Sequence, residues 1–290
     1  MAGEKAGEKA ISPARRAPFA NREFGLRVAS ALVLGAAVLG TLILGGWAFA
    51  AVWLIAGIVG AAEWLAMTRS EPLAPLLGLT GATLFALLAA VLVGAPLWVP
   101  VLVLLAGSLG LFALGHGPGR RKPVWGLLGG AVVALVPTLL RLDPAIGIVG
   151  PAWMFAVVWS TDSVAYFTGR LIGGPKLMPR VSPKKTWSGA LGGLFAGIVG
   201  GTLTVLVARG HGWDALPAIS LPLVAAVSGL ASILSMAGDL VESALKRRYG
   251  VKDSGRSIPG HGGVMDRLDG FFAVAGLAGL CLAALRLLPA

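Results

Sequence analysis

The segment from Ser243 to Asp269 carries a dense set of polar and charged side chains in an otherwise apolar chain. Its basic side chains suit phosphate oxygens, its carboxylates suit a metal ion, and its glycines let a backbone approach a ligand closely. Charged side chains at bilayer depth are energetically costly and therefore usually mark a site. The segment is predicted to bind a phosphorylated ligand together with a metal ion.

The helix that leads into this segment carries a polar stripe. Asp239, Glu242, Ser243 and Lys246 are spaced i, i+3, i+4 and i+7, so they share one helix face. An ion pair between Glu242 and Lys246 on the helix surface would explain those two residues, but it would not explain Asp239. Oxygen ligands from Asp239 and Asp266, on two different helices, could hold magnesium together with substrate phosphates.

The glycines between these carboxylates indicate an anion-binding backbone. Gly262 and Gly263 follow His261 and can adopt positive φ, which exposes backbone N–H groups to an anion. Asp266 and Asp269 come directly after them, at the start of the last apolar segment. A zinc site is not expected, because the single cysteine and the three histidines are scattered along the chain without zinc-ligand spacing.

Two further segments could contact phosphate. Asp162 and Tyr166 lie four residues apart on one helix face, and Arg170 lies one turn later. Asp162, near the end of a predicted transmembrane helix, is either paired structurally or functional. Lys184 and Lys185 suit a triphosphate or a lipid phosphate, although they also suit an ordinary basic loop beside anionic lipid.

The composition identifies an integral membrane protein. The chain has 290 residues, of which 56% are hydrophobic and 13% are charged, and its mean hydropathy is +0.84. A soluble domain is typically about a quarter charged. The net charge of +11 is interpreted as basic residues gathered at the cytoplasmic face and facing an anionic substrate, rather than as a nucleic-acid-binding surface.

Apolar runs long enough to cross the hydrocarbon core number about nine. They predict an all-α polytopic membrane protein with about nine transmembrane helices. The first two runs are separated by Gly45-Gly46, which predicts a tight hairpin. The predicted spans are residues 26–44, 47–62, 73–93, 97–114, 124–141, 145–168, 189–208, 216–236 and 271–288.

The basic residues orient these spans. With the N-terminus in the cytoplasm and the C-terminus outside, all 24 lysines and arginines except Arg141, Arg209 and Arg286 fall on the cytoplasmic side. The predicted organisation is a disordered basic cytoplasmic tail, an N-terminal transmembrane region and a C-terminal catalytic transmembrane region with two cytoplasmic-face loops. These parts are, in order, residues 1–25, 26–144 and 145–290, with the loops at 169–188 and 237–270.

A glycine recurs every fourth residue in the seventh predicted span. Such a stripe lets another helix approach closely, and packing within the chain is the expected use. The stripe also permits a homodimer interface. Its members are Gly189, Gly193, Gly197 and Gly201.

The segment from Ser243 to Asp269 resembles the signature of the phosphatidate cytidylyltransferase family (CDP-diacylglycerol synthases). Residues 162–170 and 182–186 look like two further segments of that family, so the resemblance covers about residues 150–275. One departure is Ser188, where the family often has a glutamate. The matching signature positions are Ser243, Leu245, Lys246, Arg247, Lys252, Asp253, Gly255, Ile258, Pro259, His261, Gly262, Gly263, Val264, Asp266, Arg267, Leu268 and Asp269.

The resemblance implies a reaction in which CTP and phosphatidic acid give CDP-diacylglycerol and pyrophosphate. It implies magnesium on Asp239 and Asp266 and leaves open a second metal ion. The resemblance also implies catalytic roles for Lys246, Arg247, Lys252 and His261, and substrate-binding roles for Asp162, Tyr166, Arg170, Lys184, Lys185, Ser243, Asp253, Gly262, Gly263, Arg267 and Asp269.

Three alternatives remain at this point. A cytidylyltransferase for another lipid phosphate, such as an unsaturated archaeal ether lipid, would carry the same motif. A transporter for a phosphorylated solute would place its charges near the bilayer midplane, whereas these charges cluster at predicted cytoplasmic helix ends. A structural scaffold would not explain the glycines and carboxylates. The expected location is the cell membrane, with the active site on the cytoplasmic face.

Overall fold

A computed structural model describes residues 22–212, 219–259 and 262–287. Each of the nine predicted apolar runs overlaps an α-helix. Within the described residues these are α1 (Arg22–Leu44), α2 (Gly46–Met67), α3 (Leu73–Leu92), α4 (Trp98–Leu114), α5 (Lys122–Leu142), α6 (Val149–Leu171), α7 (Trp187–His211), α8 (Leu221–Arg248) and α9 (Met265–Leu287).

Six of these helices are long and apolar enough to cross a membrane, which supports an all-α membrane protein. Trp98–Leu114 and Leu32–Leu44 are shorter apolar helices, and α6 is not among the six. The second half of α6 carries Ser160, Thr161 and Asp162, which lower its apolar character. The count of nine spans and the positions of the termini therefore stay predictions.

Helices α2 and α5 pack against each other along much of their length because small residues meet between them. A Cβ on Gly57 would lie 2.5 Å from the carbonyl oxygen of Gly130, and a Cβ on Gly130 would lie 2.8 Å from that of Gly57. At one end of this pair Lys122 Nζ donates to the Thr68 carbonyl at 3.0 Å. At the other end Arg141 Nε donates to the Leu42 carbonyl at 2.9 Å. The two helices are therefore antiparallel.

An aromatic stack joins the N-terminal and C-terminal halves of the chain. Trp53 of α2 contacts both Phe271 of α9 and Phe155 of α6, with ring centroids 4.8 Å and 5.7 Å away, and the two phenylalanine centroids are 6.0 Å apart. All three rings are buried in the larger apolar cluster. A second cluster, which includes Leu65, Leu84 and other leucines, fills the space among α2, α3, α4 and α5.

The glycine stripe of α7 packs inside the chain, as expected. All four of its glycines are buried. A Cβ on Gly193 would lie 2.8 Å from the Thr161 carbonyl oxygen, and one on Gly201 would lie 2.8 Å from the Ser228 Cβ. Since α6 and α8 occupy this face, the stripe is not an open surface for a second copy of the chain.

The structure changes the predicted boundaries in three places. Segment 169–188 contains an antiparallel hairpin of β1 (Lys176–Met178) and β2 (Ser182–Thr186), so the fold is not helical throughout. Segment 237–270 is helical at both ends, and the connection between α8 and α9 spans 249–264. The predicted tail 1–25 ends earlier, because α1 begins at Arg22; residues 1–21 lie outside the described part.

Candidate active site

A close helix crossing brings the acidic residues of α8 and α9 together. A Cβ on Gly238 would lie 2.6 Å from the carbonyl oxygen of Asp269, so only glycine fits at this point. Gly270 packs in the same way against Ser235. The crossing places Asp239, the residue after Gly238, beside the first turns of α9.

Three carboxylates from three helices form a cluster at this crossing. Asp162 of α6, Asp239 of α8 and Asp269 of α9 interact electrostatically with one another. Lys185 of the hairpin joins them, with Nζ 2.5 Å from Asp239 Oδ2, and Arg267 interacts with Asp162. When all five side chains are ionised, the cluster carries excess negative charge.

A basic cavity of about 230 Å³ lies beside this cluster. Its cationic side chains come from the hairpin, from α8 and from the connection after α8, and they face a single lining carboxylate. Ser243 links the cavity to the cluster, because its hydroxyl donates to Asp239 Oδ1 at 3.3 Å. The lining residues are Val181, Ser182, Pro183, Lys184, Ser243, Lys246, Arg247, Lys252 and Asp253.

The two adjacent lysines of the hairpin have different positions. Lys184 lines the cavity, whereas Lys185 pairs with Asp239. The hairpin leads directly into α7, where Thr186 accepts the Gly189 N–H at 3.1 Å and caps the helix. Ser188 donates to the Gly173 carbonyl, so the residue that departs from the family pattern ties the first turn of α7 to the segment just before the hairpin.

Lys246 is shared by two nearly buried carboxylates. Its Nζ lies 2.6 Å from Asp266 Oδ1 and 3.1 Å from Glu242 Oε1. The expected Glu242–Lys246 pair is therefore present, but it is buried rather than on the helix surface. Within the described residues, Glu242 has no hydrogen-bond donor other than Lys246.

Asp266 also holds the connection between α8 and α9. Its Oδ2 accepts the backbone N–H groups of Ser254 and Gly263, each at 2.9 Å. Gly262 has φ of 89°, and a Cβ there would lie 3.0 Å from Asp266 Oδ2. The glycines were expected to present N–H groups to a bound anion. The Gly263 N–H instead binds the internal carboxylate of Asp266.

Glu63 of α2 completes this connection and was missed by the sequence analysis. Its buried carboxylate accepts the hydroxyls of Ser254 and Ser257 at 2.9 Å and 2.6 Å, and the N–H groups of Val264 and Met265, each at 2.9 Å. A lone carboxylate in an apolar helix is itself a signal of a site. It was overlooked because the recognised motifs all lie after residue 150.

Of the remaining predicted residues, two lie on an exposed helix face and one lies outside the described part. Arg170 donates to the Tyr166 hydroxyl at 2.8 Å on an exposed face of α6. Neither side chain lines the basic cavity. His261 lies outside the described residues.

The acidic side chains fit a magnesium ion that is completed by substrate oxygens. Within residues 22–212, 219–259 and 262–287, no three Asp, Glu, His or Cys side chains form a ready-made metal site. Magnesium commonly uses one or two carboxylates together with phosphate oxygens. Asp239 fits this role because two further carboxyl groups, those of Asp162 and Asp269, lie close enough to interact with it. Asp266 would ligate through Oδ1, because Oδ2 already accepts two N–H groups. Lys246, which contacts Oδ1 at 2.6 Å, would then turn toward the substrate phosphates.

Comparison with known proteins gives consistent matches. A sequence model of the cytidylyltransferase family matches residues 25–285. The phosphatidate cytidylyltransferase of Brucella abortus biovar 1 (strain 9-941) is 43% identical over 254 residues, which cover 87% of this chain and 90% of the relative. The phosphatidate cytidylyltransferase of Bacillus subtilis (strain 168) is 48% identical over 118 residues, 41% of each chain.

Proposed function

This chain belongs to the cytidylyltransferase family, and from its site we propose how it acts as a phosphatidate cytidylyltransferase. CTP donates its CMP group to phosphatidic acid, which gives CDP-diacylglycerol and pyrophosphate for phospholipid synthesis. The observation that carries the proposal is the basic cavity beside a cluster of three carboxylates. The cavity supplies positive charge for a triphosphate, and the cluster supplies oxygen ligands.

The cavity cations bind the phosphates of CTP. Lys184, Lys246, Arg247 and Lys252 approach the cavity from three chain segments, so they can contact several phosphate oxygens at once. Because a triphosphate carries most of its charge on its β and γ groups, these cations hold the part that leaves as pyrophosphate. Asp253 on the same wall orients a lysine or the nucleotide.

Asp239 and Asp266 would hold magnesium, which would neutralise phosphate charge and orient the reacting groups. Lys185 holds Asp239 in place, and Lys246 holds Asp266. Asp162 and Asp269 place two further carboxyl groups beside Asp239. Whether a second metal ion binds is left open by this donor set.

Phosphatidic acid enters from the membrane along the exposed face of α6. Leu171 and Ile172 are largely exposed there, which suits contact with lipid chains. Arg170, which is hydrogen-bonded to Tyr166, directly precedes Leu171 and suits the lipid phosphate. Arg267 lies at the start of α9 and balances Asp162.

The bond changes require no covalent enzyme intermediate. An oxygen of the lipid phosphate attacks the α-phosphorus of CTP while the bond from that phosphorus to the bridging oxygen of the β-phosphate breaks. The electron pair leaves with pyrophosphate. Since the nucleophile is already an anion, the protein's main contribution is to position two anions and offset their repulsion.

The nine helices are proposed as nine spans with the N-terminus cytoplasmic and the C-terminus outside. This orientation puts the basic cavity on the cytoplasmic face, where CTP is available, and follows the distribution of basic residues. The proposed partners are CTP, phosphatidic acid and membrane lipids, and no nucleic acid. A homodimer is compatible with this scheme but would need a surface other than the α7 stripe.

A turnover assay tests the function. Detergent-purified protein is incubated with labelled CTP, phosphatidic acid and magnesium, and both lipid-bound label and pyrophosphate are measured. Both products are expected, and both should disappear on chelation. If the folded protein gives neither product, phosphatidic acid is the wrong acceptor. Other lipid phosphates are then tested as acceptors first, and transport of a phosphorylated solute is tested last.

Two carboxylate variants test the metal assignment. Asp239→Asn and Asp266→Asn should each lose at least about 100-fold in activity, since metal stabilisation of transferring charge is worth several kcal/mol. Asp143→Asn is the matched control, because Asp143 is a buried carboxylate at the opposite end of the α2–α5 pair. Wild-type turnover in either site variant, at unchanged magnesium, would remove that residue from the metal site.

A further inference from the structure

We propose that Glu63 is a positioning residue for the active site. It fixes the connection between α8 and α9 so that Asp266 is held in place and remains in contact with Lys246. This role rests on the proposed function, and it assigns part of the site to the N-terminal half of the chain.

Glu63 and Asp266 both accept hydrogen bonds from the same two points in the connection, Ser254 and residues 263–265. At the first point, Ser254 donates its hydroxyl to Glu63 and its backbone N–H to Asp266. At the second point, Gly263 donates its N–H to Asp266, and the next two N–H groups go to Glu63. The two carboxylates therefore act as one clamp, and loosening one side frees the backbone that holds the other.

The connection is fitted closely around Glu63. A Cβ on Gly255 would lie 2.7 Å from Glu63 Oε1, and a Cβ on Gly263 would lie 2.8 Å from Glu63 Cδ. Both positions therefore require glycine while the carboxylate is present. This complementarity on two sides of one side chain indicates that the connection has a single arrangement around it.

The charge of Glu63 is stabilised by the connection and the helix that follows. No cation forms an ion pair with it in the described parts of the chain. Its oxygens instead accept four neutral donors, and one of these is the N–H of Met265, the first residue of α9. The positive end of the α9 dipole favours a carboxylate at this place. An apolar residue at position 63 would leave these donors without an acceptor.

The decisive variant is Glu63→Gln. Each Glu63 oxygen accepts one backbone N–H, Oε1 from Val264 and Oε2 from Met265. Whichever way the amide of glutamine turns, its NH₂ group faces a backbone N–H, so one of these hydrogen bonds is lost. The shape and volume of the side chain are otherwise kept.

Asp143→Asn is the matched control. Asp143 is buried, and its Oδ1 accepts the N–H groups of Ala145 and Ile146 while Oδ2 pairs with Arg286. The change has the same chemistry as Glu63→Gln at a place remote from the basic cavity. It therefore reports what the loss of a buried, backbone-binding carboxylate does to the protein in general.

Two readouts are taken on the full-length protein in detergent. Amide hydrogen exchange, resolved to single residues and measured without metal or nucleotide, reports the clamp. In Glu63→Gln, exchange should rise at least about tenfold at Ser254 and Gly263, whose N–H groups bind Asp266 rather than Glu63. The kcat/KM for CTP should fall by about 10- to 100-fold, as for residues that orient a ligand-binding group. Asp143→Asn should change neither quantity.

Other results would overturn the inference. Exchange that rises only at Val264 and Met265, or a kcat/KM for CTP equal to that of the control, would mean that Glu63 only stabilises the fold. If Glu63→Gln does not fold, Ser254→Ala replaces it, because alanine keeps the N–H to Asp266 and removes the hydroxyl to Glu63. Unchanged exchange at 254 and 263 in that variant would also overturn the inference. Absence of turnover in the wild-type protein would overturn the proposed function instead.

Discussion

Replacing Lys246 with methionine would leave two nearly buried carboxylates without their shared cation. The Glu242 and Asp266 side chains are each 6% exposed, and that of Lys246 is 14% exposed. Removing one partner of a buried ion pair costs about 3–5 kcal/mol, because a buried charge stays behind. Asp266 keeps two N–H donors, whereas Glu242 has no donor other than Lys246 in the described part of the chain. Most of the cost should therefore arise at Glu242.

This reasoning gives a second variant with an opposite effect. Adding Glu242→Gln to Lys246→Met removes the unpaired charge and should recover about 1–3 kcal/mol of stability. The free energy of unfolding is measured in mixed micelles for both variants and for the wild type. The double variant should be more stable than Lys246→Met but should still bind CTP poorly, since the cavity has lost a cation. Equal stability of the two variants, or a loss below about 1 kcal/mol in Lys246→Met, would refute the buried-pair interpretation.

Three further predictions concern packing, capping and metal. Gly238→Ala should destabilise the protein by about 1–3 kcal/mol, because the added Cβ would lie 2.6 Å from the Asp269 carbonyl oxygen. Gly276→Ala is the control, because a Cβ at position 276 would have no neighbouring atom within 4 Å. In a thermal melt this control should be neutral or slightly stabilising. Thr186→Ala should cost about 1 kcal/mol through loss of the α7 cap, again by thermal melting, and Thr186→Ser should restore most of it. Chelation of magnesium should abolish CMP transfer. It should leave the melting temperature within about 2 °C of its original value, since magnesium here needs substrate oxygens to complete its site. A large drop in melting temperature would indicate a structural metal instead.

The helices could be predicted from the sequence because each apolar run is long and is separated from the next run by a charged or glycine-rich stretch. Their ends were harder to place. The predicted eighth span stopped at 236, yet α8 continues to Arg248. Asp239 and Lys246 find partners on other elements, and Glu242 pairs with Lys246, so the helix can carry charges without ending.

The motif residues were also recognisable, but their grouping was not. Spacing along one helix suggested that Glu242 pairs with Lys246, which is correct, and could not reveal that Lys246 also reaches Asp266 on α9. Lys184 and Lys185 look equivalent in the sequence, whereas the hairpin directs one to the cavity and the other to Asp239. Such pairings depend on contacts between segments far apart in the chain.

The aromatic stack around Trp53 limits how this protein can be divided. A fragment that starts at α6 would lose the ring that Phe155 and Phe271 cover, and it would expose their faces to lipid or detergent. The first five helices are therefore not a dispensable membrane anchor for a self-sufficient catalytic module. The smallest part of the chain that we expect to fold as an active enzyme is therefore close to the whole helical chain. If the gene were split between α5 and α6, we expect activity only when both fragments are produced together.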